Sequence, residues 1–396
     1  MRICLNMIVR DEAPNLPRLF ASVQGVADCF VVSDTGSRDG TRELLDVLSE
    51  RYGIPGIVTS DPWVDFSTNR NLALDAALQA QSRGVMRFDW LMVIDADEEL
   101  VVNDPSWRSS LSPGNSHVAY KRGRDISFQH DLLLWVEGRH WNWEGGVHAY
   151  VRNALPGHRS VHIDSLAIAY GDFTGAKTRS FANPMEKAQA DVSRLEAELG
   201  GEPAGSDNVH RFFQLAYAYR NTGDIAGCLR TMQAVADSPH SGKELTYAAL
   251  VVAGQSISEM EDHGSKAIEC FERAMRIDGQ RWEAPYHLAV SLRRKKEPGR
   301  ARELLESRHA MGYTDKGLYW KEHPVYEWRL AYELCFLRSL TGDGHRVAEW
   351  AEPLLASGRL PAVEEGFLRQ LLNLSSAAPS IDESGVDMKD PGIRDL

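Results

Sequence analysis

The order of apolar and amphipathic segments in the first half of the chain restricts the fold more than any other feature. Short apolar runs at 2–9, 29–33, 56–60 and 91–94 alternate with segments whose apolar residues recur at helical spacing. Runs of this length suit strands that are buried on both faces of a sheet. Strands that alternate with helices predict βαβ units and a largely parallel sheet. The first part of the chain is therefore predicted to be an α/β domain.

The fourth apolar run ends in a dense group of acids. The sequence LMVIDADEEL places Asp95 and Asp97 one residue apart, with Glu98 and Glu99 directly behind them. Open α/β sheets bind ligands just beyond the carboxyl ends of their strands. Carboxylates there can hold Mg²⁺ or Mn²⁺ beside a ligand's phosphates, because hard cations prefer oxygen. An acid pair after a strand is also common as a loop start or a helix cap, so both interpretations stay open for the pair alone.

Acids follow the earlier strands as well. Asp34 and Asp61 come directly after the second and third apolar runs, and Asp11 follows the first run after Arg10. The turn glycine that follows Asp34, together with the buried strand before it, indicates a binding cleft shared with Asp95. Asp61 has no such context and is interpreted as an ordinary residue of a solvated loop.

Four segments carry a family resemblance: MIVRDEAPNLPRLFASV, VVSDTGSRDGT, DFSTNRNLALDAA and WLMVIDADEEL. In this order and spacing they resemble the nucleotide-sugar domain of family 2 glycosyltransferases, especially the bacterial subgroup that fuses this domain to tetratricopeptide repeats. The resemblance covers roughly residues 1–175 and implies the GT-A fold, an α/β domain with a Rossmann-like mixed sheet. It also implies transfer of a sugar, with inversion, from a nucleoside-diphosphate sugar such as a UDP-hexose. A bound Mn²⁺ or Mg²⁺ is the implied cofactor.

The resemblance assigns roles to individual residues. Asp34 would contact the nucleotide base, Asp95 would lie near the ribose and the metal, and Asp97 would be the direct metal ligand. The predicted donor-binding set is Asp11, Asp34, Arg70, Asn71 and Asp95. The Arg70 guanidinium can pair with phosphate or with the acids, and the alternative is a cation on a helix surface. A metal held by carboxylates neutralises the charge of the leaving diphosphate, so no protein nucleophile is required.

The segment WVEGRHWNWEGGVHAYV is predicted to close the site. Its tryptophans, Trp135, Trp141 and Trp143, offer flat faces for a pocket wall, although tryptophans are also common in cores. The resembling family has a Gly-x-x-His motif here whose histidine completes the metal shell, and Gly145 and His148 match it. The alternative for His148 is an ordinary core or surface histidine.

One departure from the family concerns the general base. The family commonly has an acid directly after the histidine, where this chain has Ala149. Inverting transfer needs a carboxylate near the acceptor hydroxyl. Glu144 is the nearest candidate for this catalytic role, and Glu137, Asp125 and Asp131 are the others.

The second half of the chain shows helical periodicity with an internal repeat. The segment around Ala267 and Phe271 recurs around Ala301 and Leu305, at the 34-residue step of tetratricopeptide repeats. A generic helical bundle is the alternative, but the matched step favours repeats. Residues 176–374 are therefore predicted to be an all-α, tetratricopeptide-like helical repeat domain, after a 1–175 GT-A domain and before a disordered 375–396 tail. The repeats are expected to hold an acceptor, to bind a protein partner or to form a homodimer.

Composition limits the class of protein further. Five scattered cysteines and no Cys-x-x-Cys pair argue against a disulfide framework and against a zinc site. The formal net charge of −12 disfavours non-specific binding to nucleic acid. An apolar run that begins at Arg2 leaves no room for a signal peptide, and no apolar segment approaches the length of a membrane span. We therefore expect a cytoplasmic enzyme without stable membrane insertion.

The sequence leaves the acceptor and two rival functions open. A peptide, a glycan, a lipid precursor or a modified nucleobase could accept the sugar. Ala149 favours a non-catalytic nucleotide-binding scaffold, whereas the presence of Asp34, Asp95 and Asp97 argues against a degenerate site. A nucleotidyltransferase would also use acids at a strand end. The absence of a glycine-rich phosphate loop with a lysine near the first strand argues against that function.

Overall fold

The chain folds into two compact units in the structure, which is a computed structural model. The first unit comprises residues 1–200 and 316–319, and the second comprises 201–315 and 320–396. The described residues are 1–123, 125–137, 141–145, 149–153, 159–170, 181–205, 208–260, 264–313 and 318–376. The predicted boundary near residue 175 and the predicted disordered tail stay predictions, and both 171–180 and 377–396 lie outside the described residues.

The first unit combines strands and helices in the predicted alternating order. Its strands are β1 (Ile3–Val9), β2 (Cys29–Asp34), β3 (Gly56–Ser60), β4 (Trp90–Val93), β5 (Glu99–Val102), β6 (Ser116–Arg122), β7 (Ser127–Trp135), β8 (Trp141–Glu144), β9 (Tyr150–Asn153) and β10 (Ser160–Ala169). Its helices are α1 (Leu16–Ser22), α2 (Thr41–Tyr52), α3 (Phe66–Ser82) and α4 (Pro184–Leu199). A 3₁₀ turn covers Trp107–Ser110.

Eight of these strands form one mixed sheet in the order β3-β2-β1-β4-β7-β6-β10-β5. The first four are mutually parallel, as predicted, with Cys4 opposite Cys29 and Leu91. Beyond β4 the sheet is no longer parallel, because β7 runs antiparallel to both β4 and β6, and the whole is a mixed sheet, as predicted. β6 and β7 are joined by a short connection, which suits only antiparallel neighbours. β8 and β9 form a separate two-stranded sheet.

Helices cover both faces of the parallel half of the sheet. Ile3, Leu5 and Met7 of β1 point into one apolar cluster, which also contains residues of α1 and α2. Cys4, on the opposite face, belongs to a second cluster that contains Leu74 and Ala77 of α3. This alternation explains why the strands read as continuous apolar runs, since both faces are buried. All five cysteines are free thiols.

The second unit is built from helices that pack in sequential pairs. They are α5 (Val209–Asn221), α6 (Ile225–Asp237), α7 (Gly242–Ser258), α8 (Gly264–Ile277), α9 (Glu283–Arg294), α10 (Pro298–Met311), α11 (Leu330–Leu340), α12 (Ala348–Ala356) and α13 (Ala362–Ser376). A short extended segment, β11 (Trp320–Lys321), and a π-helical turn, Val325–Arg329, precede α11, and a 3₁₀ turn covers Gly344–Arg346.

The 34-residue step of the sequence corresponds to equivalent helices. The bounds of α8 and α10 differ by 34 residues at both ends. Ala267 and Ala301 are both fully buried at equivalent positions, as are Phe271 and Leu305 to within 1% exposure. A turn glycine at φ 78°, Gly223, precedes Asp224, whose carboxylate caps α6 by accepting from the Gly227 amide at 2.8 Å. Among the described helices, none has the length and apolar character needed to cross a membrane.

Candidate functional site

The acids after β4 form a closed turn at the carboxyl end of the strand. The Asp95 amide donates to Glu98 Oε2 at 2.9 Å, and the Glu98 amide donates to the Asp95 carbonyl at 3.1 Å. This turn brings the side chains of Asp95, Asp97 and Glu98 together, so that one oxygen of each lies within 4.8 Å of the others. Among the described residues, these three carboxylates could hold a metal ion.

Two cations from distant parts of the chain contact this acid group. Arg70 of α3 donates from Nη2 to Asp95 Oδ1 at 2.6 Å. Lys121 of β6 forms an ion pair with Glu98, whose side chain is only 2% exposed. Arg70 was a predicted site residue, and the alternative of a free surface cation is wrong because its side chain is 11% exposed and paired. Lys121 was not predicted.

These surroundings shift the pKa values of Asp95 and Asp97 in opposite directions. Burial opposes ionisation of Asp95, but attraction to Arg70 and then to Lys121 outweighs it and lowers the pKa of Asp95 to about 2. Burial, followed by repulsion from Asp95 and Glu98, raises the pKa of Asp97 to about 6. Neighbours that separate two carboxyl pKa values in this way are common at functional sites, although structural ion pairs also produce them.

His130 places a buried imidazole beside the same group. It lies on β7 opposite Ala119 of β6, two residues before Lys121. Burial, and then repulsion from Lys121, lower the pKa of His130 to about 3, so the ring is neutral at pH 7. Within the described part of the chain, its Nε2 atom is buried without a hydrogen-bond partner. The ring therefore adds no charge to the acid group.

The acid group fits a divalent cation by donor type. Three carboxylates are ligands that Mg²⁺ and Mn²⁺ prefer. Asp95 and Glu98, however, each already have a cationic partner, in Arg70 and Lys121. The three acids and two cations leave one formal negative charge, so a metal here would compete with the two side-chain cations for the carboxylates.

Arg70 and Asn71 also fix the strand that carries Trp143. The Asn71 amide donates to the Trp143 carbonyl at 3.0 Å, and its oxygen accepts from the Trp143 amide at 2.8 Å. The Arg70 guanidinium lies 4.8 Å from the Trp143 ring centroid. Trp141 and Trp143 are 8% and 5% exposed and belong to the core cluster on the α3 face. The interpretation of these two tryptophans as a pocket wall is therefore wrong, since their faces are covered.

Asp34 and Asp11 meet at the second strand end through Ser37. The Ser37 hydroxyl donates to Asp34 Oδ1 and accepts from the Asp11 amide at 2.9 Å. Asp34 is 4% exposed, and its other oxygen lies 3.4 Å from Arg42 Nη1. Asp11 has φ 53°, and its carboxylate accepts from the Arg38 amide at 2.7 Å. The two acids thus tie the loops after β1 and β2 together, whatever else they bind.

The predicted catalytic Glu144 lies at the end of β8, opposite Tyr150 of β9. Its carboxylate forms an ion pair with Arg152 Nε at 3.0 Å and accepts from the Tyr150 hydroxyl at 3.0 Å. Both contacts occupy the carboxylate that a general base would turn toward the acceptor hydroxyl. Ala149 packs against the core cluster of the α3 face. The predicted metal ligand His148 lies outside the described residues.

Sequence reasoning missed Lys121, His130 and the role of Glu98. Lys121 and His130 lie inside strands whose sequences, SHVAYKR and SFQHDLLLW, mix polar and apolar residues, so no periodic pattern marks these two side chains. They reach the acid group because β7 and β6 follow β4 in the sheet order. Glu98 belongs to the same run of acids as Asp95 and Asp97. Its position three residues after Asp95 could have indicated that it shares their turn.

Comparison with curated proteins gives two partial similarities. The chain is 41% identical over 101 residues to a TPR repeat-containing protein of Synechococcus elongatus, which is 26% of this chain and 22% of that protein. It is 29% identical over 99 residues to an uncharacterized glycosyltransferase of Rickettsia bellii, which is 25% of this chain and 29% of that protein. The chain thus matches less than a third of the length of either relative. No protein-family model matches it.

Similarities to solved structures lie in helical repeat proteins. The structure of MamA matches 48% of this chain and 99% of its own, at 14% identity and a TM-score of 0.33. A tetratricopeptide repeat protein from Parabacteroides merdae matches 48% of this chain and 66% of its own, at 15% identity and a TM-score of 0.35. Scores of this size carry no argument alone. The paired helices at a 34-residue step and the curated repeat relative support a tetratricopeptide-like helical domain, whereas the GT-A fold of the mixed sheet stays a prediction.

Proposed function

We propose that the chain is a glycosyltransferase that transfers a sugar, a hexose, from a nucleoside diphosphate, with UDP as the expected nucleotide. The observation that carries this proposal is the acid group of Asp95, Asp97 and Glu98 at the carboxyl end of β4. Open α/β sheets bind ligands at this edge, and carboxylates there suit a metal that holds a diphosphate. The partial similarity to a glycosyltransferase of Rickettsia bellii supports the same class.

Each site residue has a role in this proposal. Asp97 would be the direct ligand of Mn²⁺ or Mg²⁺, with Asp95 and Glu98 beside it and the predicted ligand His148 completing the shell. When bound, the cation would stabilise the charge that develops on the leaving diphosphate. Arg70 orients Asp95 through its 2.6 Å contact, and Asn71 orients the Trp143 strand. Asp34 and Asp11, joined through Ser37, would bind the nucleoside end of the donor.

Activation of the acceptor would be the role of Glu144. Glu144 would need to leave Arg152, or exchange it for the acceptor, before it could act as general base. Its pairing and the alanine at position 149 favour the second candidate, a non-catalytic scaffold that binds nucleotide and uses the repeats for protein contacts. Both candidates require nucleotide binding, and only the first requires turnover.

The deciding experiment is calorimetric titration of UDP, GDP and CDP into the full chain, with and without Mn²⁺. We expect UDP binding that depends on Mn²⁺ and that weakens at least tenfold in Asp97→Asn, which keeps the side-chain volume but loses the charge. The matched control is Asp46→Asn, an exposed acid of α2, which should bind like the wild type.

Slow hydrolysis of UDP-glucose or UDP-galactose by the same preparation separates the two candidates. Metal-dependent UDP binding without any sugar release favours the scaffold. Equal UDP affinity in wild type and Asp97→Asn removes Asp97 from the metal shell. If no nucleotide binds either with or without Mn²⁺, the glycosyltransferase proposal is wrong.

A further inference from the structure

The first helices of three consecutive hairpins in the second unit share a polar face. α7 contacts both α5 and α9, and these three helices contribute Tyr217, Gln255 and His287. All three side chains are half-buried. We call these side chains, with the buried Arg281 that precedes α9, the first-helix face. The face is covered by a short stretch of the same chain, residues 320–323, which we call the bound segment. Trp320 and Lys321 are extended, and His323 is the first residue of the helical turn that follows.

An aromatic residue fastens one end of the bound segment. Trp320 is fully buried, and its indole Nε1 donates to the Tyr217 hydroxyl at 2.8 Å. Its carbonyl accepts from Arg281 Nη2 at 2.6 Å, and the guanidinium of Arg281 also lies 5.7 Å from the Trp320 ring centroid. Ring, indole N–H and backbone carbonyl of this one residue are thus all recognised by side chains of the face.

A carboxylate fastens the other end. Glu322 is 3% exposed, and its Oε1 accepts from Gln255 Nε2 at 2.5 Å. Its Oε2 lies 2.9 Å from His287 Nε2 and 4.0 Å from Arg329 Nη1. A buried carboxylate needs such partners, because its charge is otherwise unfavourable away from water. Gln255 and His287 belong to different hairpins, so one acid joins both.

The bound segment is additional to the repeat unit. Residues 238–241 and 278–282 join the earlier hairpins, whereas residues 312–324 lie between α10 and the π-helical turn. The longer connection is not needed to pass from one hairpin to the next. It carries the extended pair Trp320–Lys321 and then Glu322, and the side chains of Trp320 and Glu322 contact the first helices as a peptide ligand of helical repeats would.

We propose that the bound segment is an internal ligand of the repeats, and that the first-helix face recognises an extended peptide with an aromatic residue and, two positions later, a carboxylate. A partner protein that uses this face has to carry the same pattern and to displace the segment. Because the segment is tethered, its local concentration is about millimolar. Partners that bind the face weakly therefore cannot displace it, whereas partners that bind tightly can. This proposal does not depend on catalysis.

The test uses a fluorescein-labelled peptide of residues 318–325 and the full chain. In the double variant Trp320→Ala/Glu322→Gln the face is vacated, and we expect the peptide to bind at least tenfold more tightly than to wild type by fluorescence anisotropy. A peptide with Gln for Glu322 should bind at least tenfold more weakly, and a control peptide with Gln for Lys321 should bind like the parent. Equal binding to both proteins, or none to a double variant with a wild-type circular dichroism spectrum, would overturn the proposal.

A second measurement decides the question if the double variant does not fold. Hydrogen exchange of the amides at 320–323 is compared in wild type, Glu322→Gln and the control Lys321→Gln. We expect at least tenfold faster exchange of these amides in Glu322→Gln only, while the α7 and α9 amides stay protected. Unchanged exchange in Glu322→Gln would mean that Gln255 and His287 do not hold the segment.

Discussion

Replacement of Lys121 tests whether an ammonium group holds the acid group together. Lys121 forms an ion pair with Glu98, whose side chain is 2% exposed, and it also attracts the nearby Asp95. Lys121→Met keeps the length and apolar stem of the side chain and removes only the charge. The variant removes the cation that is paired with Glu98 and keeps the Arg70–Asp95 pair.

The size of the effect follows from burial. Removal of one partner from a fully buried ion pair typically destabilises a protein by about 3–5 kcal/mol, because the remaining charge is left without compensation. The Lys121 side chain is 26% exposed, so water compensates part of the loss. We therefore expect the first unit to lose about 2–3 kcal/mol of unfolding free energy, below that range for a fully buried pair.

The same change should strengthen metal binding. Without the ammonium, the acid group carries two formal negative charges rather than one. A competing cation is absent, so we expect Mn²⁺ to bind about 10–100-fold more tightly, which corresponds to roughly 1.4–2.8 kcal/mol. Saturating Mn²⁺ should then restore most of the lost stability, because a ligand that binds only the folded state stabilises it.

The assay follows the first unit alone. Hydrogen-exchange mass spectrometry in a urea series, read on peptides from β6 and β10, reports its unfolding without the helical repeats. Calorimetric titration gives the Mn²⁺ affinity. The matched control is Arg83→Met, which removes an exposed cation directly after α3 and should cost less than about 0.5 kcal/mol.

Two results would refute the reasoning about Lys121. If Lys121→Met unfolds at the same urea concentration as the control, the buried pair contributes nothing measurable. If the variant is destabilised but binds Mn²⁺ with wild-type affinity, the ammonium does not compete with the metal, and the acids must be arranged differently when a cation is bound.

The remaining predictions concern stability. Burial raises the pKa of Asp131 to about 6, so its contribution to stability is present below the unfolded pKa near 4 and is lost as pH rises through 6. Asp131→Asn should therefore be about 1–3 kcal/mol more stable than wild type at pH 8 and no more stable at pH 4 in urea unfolding; an equal difference at both pH values would contradict this. A Cβ at Gly254 in α7 would lie 2.5 Å from the buried Phe271 ring, so Gly254→Ala should lose about 1–3 kcal/mol. Gly366→Ala, in α13 with open space around it, should gain about 0.5–1 kcal/mol, and differential scanning calorimetry should show the opposite shifts in melting temperature.

Local pattern was sufficient for most elements of the parallel sheet and of the repeats. The apolar run 91–94 predicted a strand that the structure has at Trp90–Val93, and the 34-residue step predicted the offset between α8 and α10. Both signals are periodicities of neighbouring residues, which backbone geometry imposes directly. The antiparallel strands β6 and β7 escaped prediction because polar and aromatic residues interrupt their apolar pattern.

Some features of the candidate site could likewise be predicted from the sequence, and others could not. The sequence by itself determined where the acids stand, because Asp95, Asp97 and Glu98 share one turn after one strand. Only the tertiary structure decided that Arg70 and Lys121 neutralise two of them, and that Trp320 and Glu322 cover the repeats. These contacts join residues that are far apart in the chain. Strand order and helix packing determine which distant residues come into contact, and no periodicity of neighbouring residues predicts that.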